Sequence, residues 1–173
     1  GIICVPCGFG KTVLGLKLIT ELGKKTIIIV HKEFLMDQWI ERIEQFIPEA
    51  KVGKIQGKVI KVEGYEIVIG MLQSVSMRDY PEGTFDDFGF VIYDECHHLG
   101  AEIFSRSLIK VGCLYTLGLS ATPDRADGLT KVFKWFLGDI VFQIKKRDKE
   151  DVKVKLITYY SPDDSYSKEL LNF

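Results

Sequence analysis

The chain has 173 residues, enough for one domain with a sizeable core. Hydrophobic residues make up 46%, an ordinary share for a soluble globular protein. Lys and Arg number 23 against 24 Asp and Glu, which argues against a histone-like or tail-type nucleic-acid binder and leaves only local contact in a groove.

The four cysteines, Cys4, Cys7, Cys96 and Cys113, are sparse and scattered, which suits a reducing compartment better than a disulfide scaffold. No run approaches the ~18 apolar residues of a membrane span, and there is no signal peptide, so an intracellular, non-secreted protein without a membrane partner is expected. The chain opens on Gly1 without an initiator Met and reads as a piece of something longer.

In chain order, IICVP (2–6) reads as a first strand and GKTVLGLKLITELG (10–23) as a helix. Val13, Leu14, Leu18 and Leu22 recur about one turn apart in it, and Gly23 is its stop. TIIIV (26–30) is apolar throughout, as a central parallel strand should be. EFLMDQWIERIEQFIP (33–48) is amphipathic, with Leu35, Trp39, Ile43 and Phe46 on one face and Pro48 as terminator. VGKI (52–55), EIVIG (66–70), FVIYD (90–94) and YTLGLS (115–120) are strand-like. AEIFSRSLIKV (101–111) and LTKVFKWFL (129–137) are helical. IVFQI (140–144) and VKVKLITYY (152–160) alternate as strands around a polar turn. The last residues, 161–173, read as a linker toward an absent unit, so that residues 1–160 form the domain. Strands alternating with helices argue a three-layer α/β fold around a mainly parallel sheet.

Ligands of open α/β sheets bind beyond the carboxyl ends of the strands. Here those ends read PCGFGKT, VHKEF, GMLQS, DECHH and SATPDR, so the unusual polar residues gather at one edge. PCGFGKT follows a strand and opens a helix, the context of a phosphate-binding loop. Its residues Pro6, Cys7, Gly8, Phe9, Gly10, Lys11 and Thr12 are the candidate nucleotide cradle. Gly8 and Gly10 let backbone N–H groups curl around phosphate oxygens, and the helix N-terminus adds its dipole. Lys11 would reach the β- and γ-phosphates, and the Thr12 hydroxyl would bind Mg²⁺. The strict G-x-x-x-x-G-K-[ST] pattern has glycine where this chain has Val5.

VIYDE supplies the partner carboxylates. Mg²⁺ wants oxygen ligands and keeps most of its waters, so a strand-tip Asp94 suits it, and Glu95 is placed to activate the attacking water. A zinc site from Asp94, Glu95, Cys96, His97 and His98 fits poorly. Structural zinc needs spaced ligand pairs, the two histidines are adjacent, and Cys7 of the other pair lies inside the phosphate loop. No zinc is expected.

With GKT, DECH (94–97) and SAT (120–122) in place, the chain resembles the first RecA-like lobe of a superfamily 2 DExH-box helicase. VHKEFLMDQW (30–39) resembles motif Ia and IGMLQS (69–74) the motif Ib region. GLSATPDRADGL (118–129) is similar to the branch of XPB-like translocases, UvsW-like helicases and type I restriction motors, and large DNA viruses carry helicases of this appearance. The resemblance implies ATP and Mg²⁺ as cofactors, with Lys11, Asp94 and Glu95 catalytic and Asp94 holding Mg²⁺ through water. It implies that His97, Ser120, Ala121 and Thr122 couple nucleotide state to nucleic acid and to a second RecA-like lobe. His31, Lys32, Gln73 and Ser74 would line a nucleic-acid track. Met71 stands where the family often has Thr, and Arg125 and Asp127 match a branch stretch without a role.

DNA is favoured over RNA by the ATPDRADG stretch; a double-stranded RNA helicase and a silent RecA-like binding module are the alternatives. Cytoplasm, nucleus and viral factory all suit such a protein. Nothing resembles motifs IV to VI, so residues 1–173 are expected to hydrolyse ATP very slowly alone. Another P-loop NTPase, such as a kinase or GTPase, leaves SAT without a job. Lys145, Lys146, Arg147 and Lys149 read as a solvated hairpin tip. Trp39 and Trp135 read as core residues and not base-stacking platforms, His98 as a loop residue, and Phe9 as an exposed or lobe-facing filler.

Overall fold

A computed structural model of the protein describes residues 1–95, 101–121 and 130–144. The first half runs β1 (Ile2–Cys4), α1 (Lys11–Leu22), β2 (Thr26–Val30), α2 (Glu33–Phe46), β3 (Val52–Gln56), β4 (Val59–Ile60), β5 (Ile67–Met71) and α3 (Leu72–Met77). The second runs β6 (Phe90–Asp94), α4 (Ala101–Val111), β7 (Tyr115–Ser120), α5 (Thr130–Leu137) and β8 (Ile140–Gln143). Among the described residues the strands form one sheet in the order β4-β3-β5-β2-β6-β7-β1-β8. Every pairing is parallel except β3 with β4.

The central strands are apolar on both faces because both faces are covered. In β2, Ile28 and Val30 pack with Leu16 and Ile19 of α1 and with Met36, Trp39 and Ile43 of α2. Ile27 and Ile29 point the other way, into a core with Val75 of α3, Phe104 of α4 and Phe133 of α5. Alternate residues of β6 divide likewise, Ile92 to the first core and Tyr93 to the second. The expected three-layer α/β architecture is the observed one.

Helix boundaries follow local chemistry. Gly10 takes φ 81° at the start of α1, and Gly23 at φ 56° closes it, its N–H donating to Ile19 O at 3.0 Å. Pro48 lies just beyond the end of α2.

Four details depart from the sequence reading. The buried face of α1 is Gly15, Leu16 and Ile19, whereas Val13 is 41% exposed, because the helix start overhangs a cleft. Phe46 is half exposed at the end of α2, beyond the turn that Ile43 anchors. Trp135 is 80% exposed: Phe133 and Leu137 carry the buried face of α5, and Trp135 lies between them in sequence, off that face. Finally, α3 and the two-residue β4 were not read from the sequence. The latter is an edge hairpin closed by Gly57 at φ 54°. The strand expected over 152–160 and the basic turn at 145–149 lie outside the described residues.

Candidate active site

Strand register brings the strand ends together at one edge. Cys4 pairs with Ser120, Asp94 with Leu119, and Ile29 with Tyr93. The loop after β1 therefore emerges beside the end of β7, one strand away from the tip of β6. Val5 N–H donates to Ser120 O at 3.0 Å and ties the root of the loop to β7. Phe9 N–H closes a turn onto Pro6 O at 3.3 Å. Gly8 (φ 83°) and Gly10 (φ 81°) meet nothing within 4 Å at the Cβ position, so backbone conformation and not space demands glycine there. The loop then enters α1, whose first N–H groups have no carbonyl one turn earlier and face the loop, an arrangement suited to an anion.

Lys11 Nζ lies 3.0 Å from Glu95 Oε1, with both side chains largely shielded from solvent. Asp94 is buried, at 5% exposure. Its Oδ2 accepts the indole N–H of Trp39 at 2.8 Å, and its Oδ1 accepts the Glu95 backbone N–H at 2.9 Å. Burial pushes the Asp94 carboxyl above its ordinary pKa; the Trp39 hydrogen bond opposes this, Glu95 adds to it, and Lys11 opposes it. Glu95 has φ 50°, uncommon for a residue other than glycine, directly after the last residue of β6.

These groups share a cleft of about 750 Å³, within the usual range for a small-molecule site. Cys7, Gly8, Gly10, Lys11 and Thr12 line it together with Asp94 and Glu95. Pro6 is half-buried at the root of the loop, and Phe9 points outward at 61% exposure. Ser120 is buried at the tip of β7 with Ala121 half-buried after it. His31 and Lys32 also line the cleft. Gln73 and Ser74 lie elsewhere, on α3: Gln73 is exposed, and Ser74 Oγ accepts the Gly57 N–H at 3.0 Å. Cys96, His97, His98, Thr122, Arg125 and Asp127 lie outside the described residues. A smaller cavity of about 450 Å³, lined by Ile19, Ile47 and Ile67 among others, holds none of the predicted site residues.

The contact of Trp39 with Asp94 is the feature sequence reading missed. The amphipathic pattern of α2 marks Trp39 as buried, but nothing local reveals that its N–H reaches across 55 residues to the strand-tip carboxylate. Gln38 and Phe34 of α2 also face the cleft.

Fold and site together define a P-loop NTPase of the RecA-like kind. Residues 1–125 match the family described as type III restriction enzyme, res subunit, and the chain belongs to that family. An Acanthamoeba polyphaga mimivirus protein provisionally named an ATP-dependent RNA helicase is 38% identical over 161 residues, covering 93% of this chain and 31% of that protein. The DNA 3′-5′ translocase XPB2 of Sulfurisphaera tokodaii is 32% identical over 160 residues, covering 92% and 35%. The crystal structure of the UvsW helicase from bacteriophage T4 superposes with a TM-score of 0.70 at 23% identity, over 82% of this chain and 53% of that one. By family and fold the chain is a RecA-like domain similar to those of proteins named as helicases and translocases. It spans between about a quarter and a half of the length of the curated relatives it matches. No helix among the described residues is long and apolar enough to cross a membrane.

Proposed function

We propose that this chain is the ATP-hydrolysing lobe of a motor that couples hydrolysis to movement on, or unwinding of, DNA. The observation that carries the reading is the Lys11–Glu95 ion pair at 3.0 Å beside buried Asp94, at the mouth of a glycine-rich loop. An ammonium on the first residue of a helix and a carboxylate at a strand tip neutralise one another beside the glycine-rich loop, where a γ-phosphate would enter. Binding of the triphosphate gives Lys11 a more highly charged partner. Glu95 then takes the proton of the attacking water.

The donor set around the loop, the Thr12 hydroxyl and the Asp94 carboxylate, is all oxygen and suits a hard cation. Thr12 and Asp94 would hold Mg²⁺, which when bound draws charge from the phosphate oxygens. Lys11 holds the β- and γ-phosphates, Gly8 and Gly10 expose backbone donors, and Pro6, Cys7 and Phe9 shape the loop. Ser120 and Ala121, with His97 and Thr122, transmit the state of the site to nucleic acid and to a second RecA-like lobe. His31 and Lys32 contact the nucleic-acid backbone from the side of the cleft, and Gln73 and Ser74 from α3. Residues 1–160 are assigned to this lobe, in an intracellular protein. An arginine from the second lobe contributes about 10³–10⁵ in rate to such reactions, so residues 1–173 alone turn over slowly.

The branch resemblance of GLSATPDRADGL and the name of the archaeal relative favour DNA. The name of the mimivirus relative favours RNA as the second reading. ATPase rates of the full-length protein with single-stranded DNA, double-stranded DNA, RNA or none separate them, with Glu95→Gln as control. Stimulation by DNA that vanishes in the control supports the proposal. Stimulation by RNA alone transfers the same site to an RNA motor, and a rate indifferent to every nucleic acid contradicts both.

A further inference from the structure

Trp39 is 1% exposed on α2, and its Nε1 donates to Asp94 Oδ2 at 2.8 Å. A buried indole N–H needs an acceptor, but a backbone carbonyl would satisfy packing alone. Here the acceptor is Asp94, the one buried acid among the described residues. The Glu95 N–H takes Oδ1 at 2.9 Å. A carboxylate offers about four lone-pair sites, so these two bonds fix its plane and leave one site on each oxygen. The indole is itself fixed from behind. A Cβ added to Gly15 would lie 2.8 Å from Trp39 Cη2, too close for either group to stay in place. Glycine weakens a helix interior, yet α1 carries one where the indole passes. Gly15 follows the phosphate loop by one helical turn, so the indole bridges the phosphate-loop helix and the metal-side carboxylate.

We infer that Trp39 is a positioning residue: its N–H, seated against Gly15, orients the Asp94 carboxylate toward the cation that accompanies the nucleotide. The inference rests on the ATPase reading above. It extends that reading from the residues that touch the nucleotide to one that touches none of it. Partners that orient a metal ligand typically change metal affinity or activity by about 10–100-fold when removed.

The test replaces Trp39 in the full-length protein with benzothienylalanine, which keeps the ring shape and lacks the N–H. Trp39→Phe and Gly15→Ala serve as second and third variants. The probe is Mn²⁺ with a non-hydrolysable ATP analogue, followed by loss of the free-ion electron paramagnetic resonance signal. Metal-free binding of the analogue and the thermal midpoint are measured beside it. The expected result is about 10-fold or more weaker Mn²⁺ binding in all three variants, with metal-free analogue binding within about twofold of wild type. A matching rise is expected in the Mg²⁺ concentration that half-saturates hydrolysis. If the variants lower the thermal midpoint but bind Mn²⁺ as wild type does, Trp39 is packing only and the inference falls. It falls equally if metal-free and metal-dependent binding weaken together. If wild type itself binds no Mn²⁺ with the analogue, the ATPase reading has failed, and a different result reports each failure.

Discussion

Glu95 concentrates the chemistry at the scale of single residues. It holds a left-handed backbone, pairs with Lys11 and follows the buried Asp94. Glu95→Gln keeps the size and removes the proposed base, so hydrolysis should fall by about 10²–10⁴-fold while the analogue still binds. Steady-state rates and equilibrium binding on the same preparation check this. Cys7 is exposed on the phosphate loop, whereas burial pushes the Cys113 thiol up to about 12. Maleimide at neutral pH should therefore label Cys7 well before Cys113, and ATP with Mg²⁺ should slow labelling of Cys7 selectively, as mass spectrometry of the peptides would show. Asp94 makes a pH prediction. Its folded pKa lies above the ordinary 3.8, chiefly through burial. Between the two values the folded protein keeps a proton that the unfolded chain has released, so nucleotide-free stability falls as pH rises through that window. Thermal melts from about pH 4 upward should show a steeper decline for wild type than for Asp94→Asn.

At the scale of elements, legibility followed burial. Strands covered on both faces, such as TIIIV and FVIYD, are uniform apolar runs, and their expected bounds coincide with β2 and β6. The loop-to-helix sequence PCGFGKT was legible because glycine, lysine and threonine there have a conformational or chemical reason for their type. By contrast, β4 is two exposed residues and α3 is a six-residue helix that begins directly at the end of β5, so neither has room for a periodic signal. Trp135 was misread because a hydrophobic residue type says nothing about which side of a short helix meets the sheet. Trp39 was placed in the core, but its bond to Asp94 is a tertiary fact that no local pattern carries. The edge hairpin is also tightly built: a Cβ on Gly53 of β3 would meet Lys61 O and the Tyr65 ring. Gly53→Ala should cost about 1–3 kcal/mol, read from denaturant melts, with little change in the site at the far side of β5.

For the whole molecule, sheet order does the assembling. Placing β7 between β1 and β6 sets the phosphate loop and the carboxylate pair one strand apart, with the cleft of about 750 Å³ between them. His31 and Lys32, which leave β2 next to β6, join the same cleft, so phosphate chemistry and a nucleic-acid track would share a wall. Exposed Phe9 and Val13 stand on the loop and at the start of α1, where a second lobe would close on the nucleotide. Lys11 and the strand-tip carboxylates are proposed to form a magnesium-dependent triphosphate site. The most direct measurement is calorimetric titration of a non-hydrolysable ATP analogue into wild type and Lys11→Ala, each with and without Mg²⁺. Tight binding is expected only for wild type with Mg²⁺, weakened by at least about 10-fold when either the ammonium or the cation is removed. Equal affinity in all four titrations would contradict it.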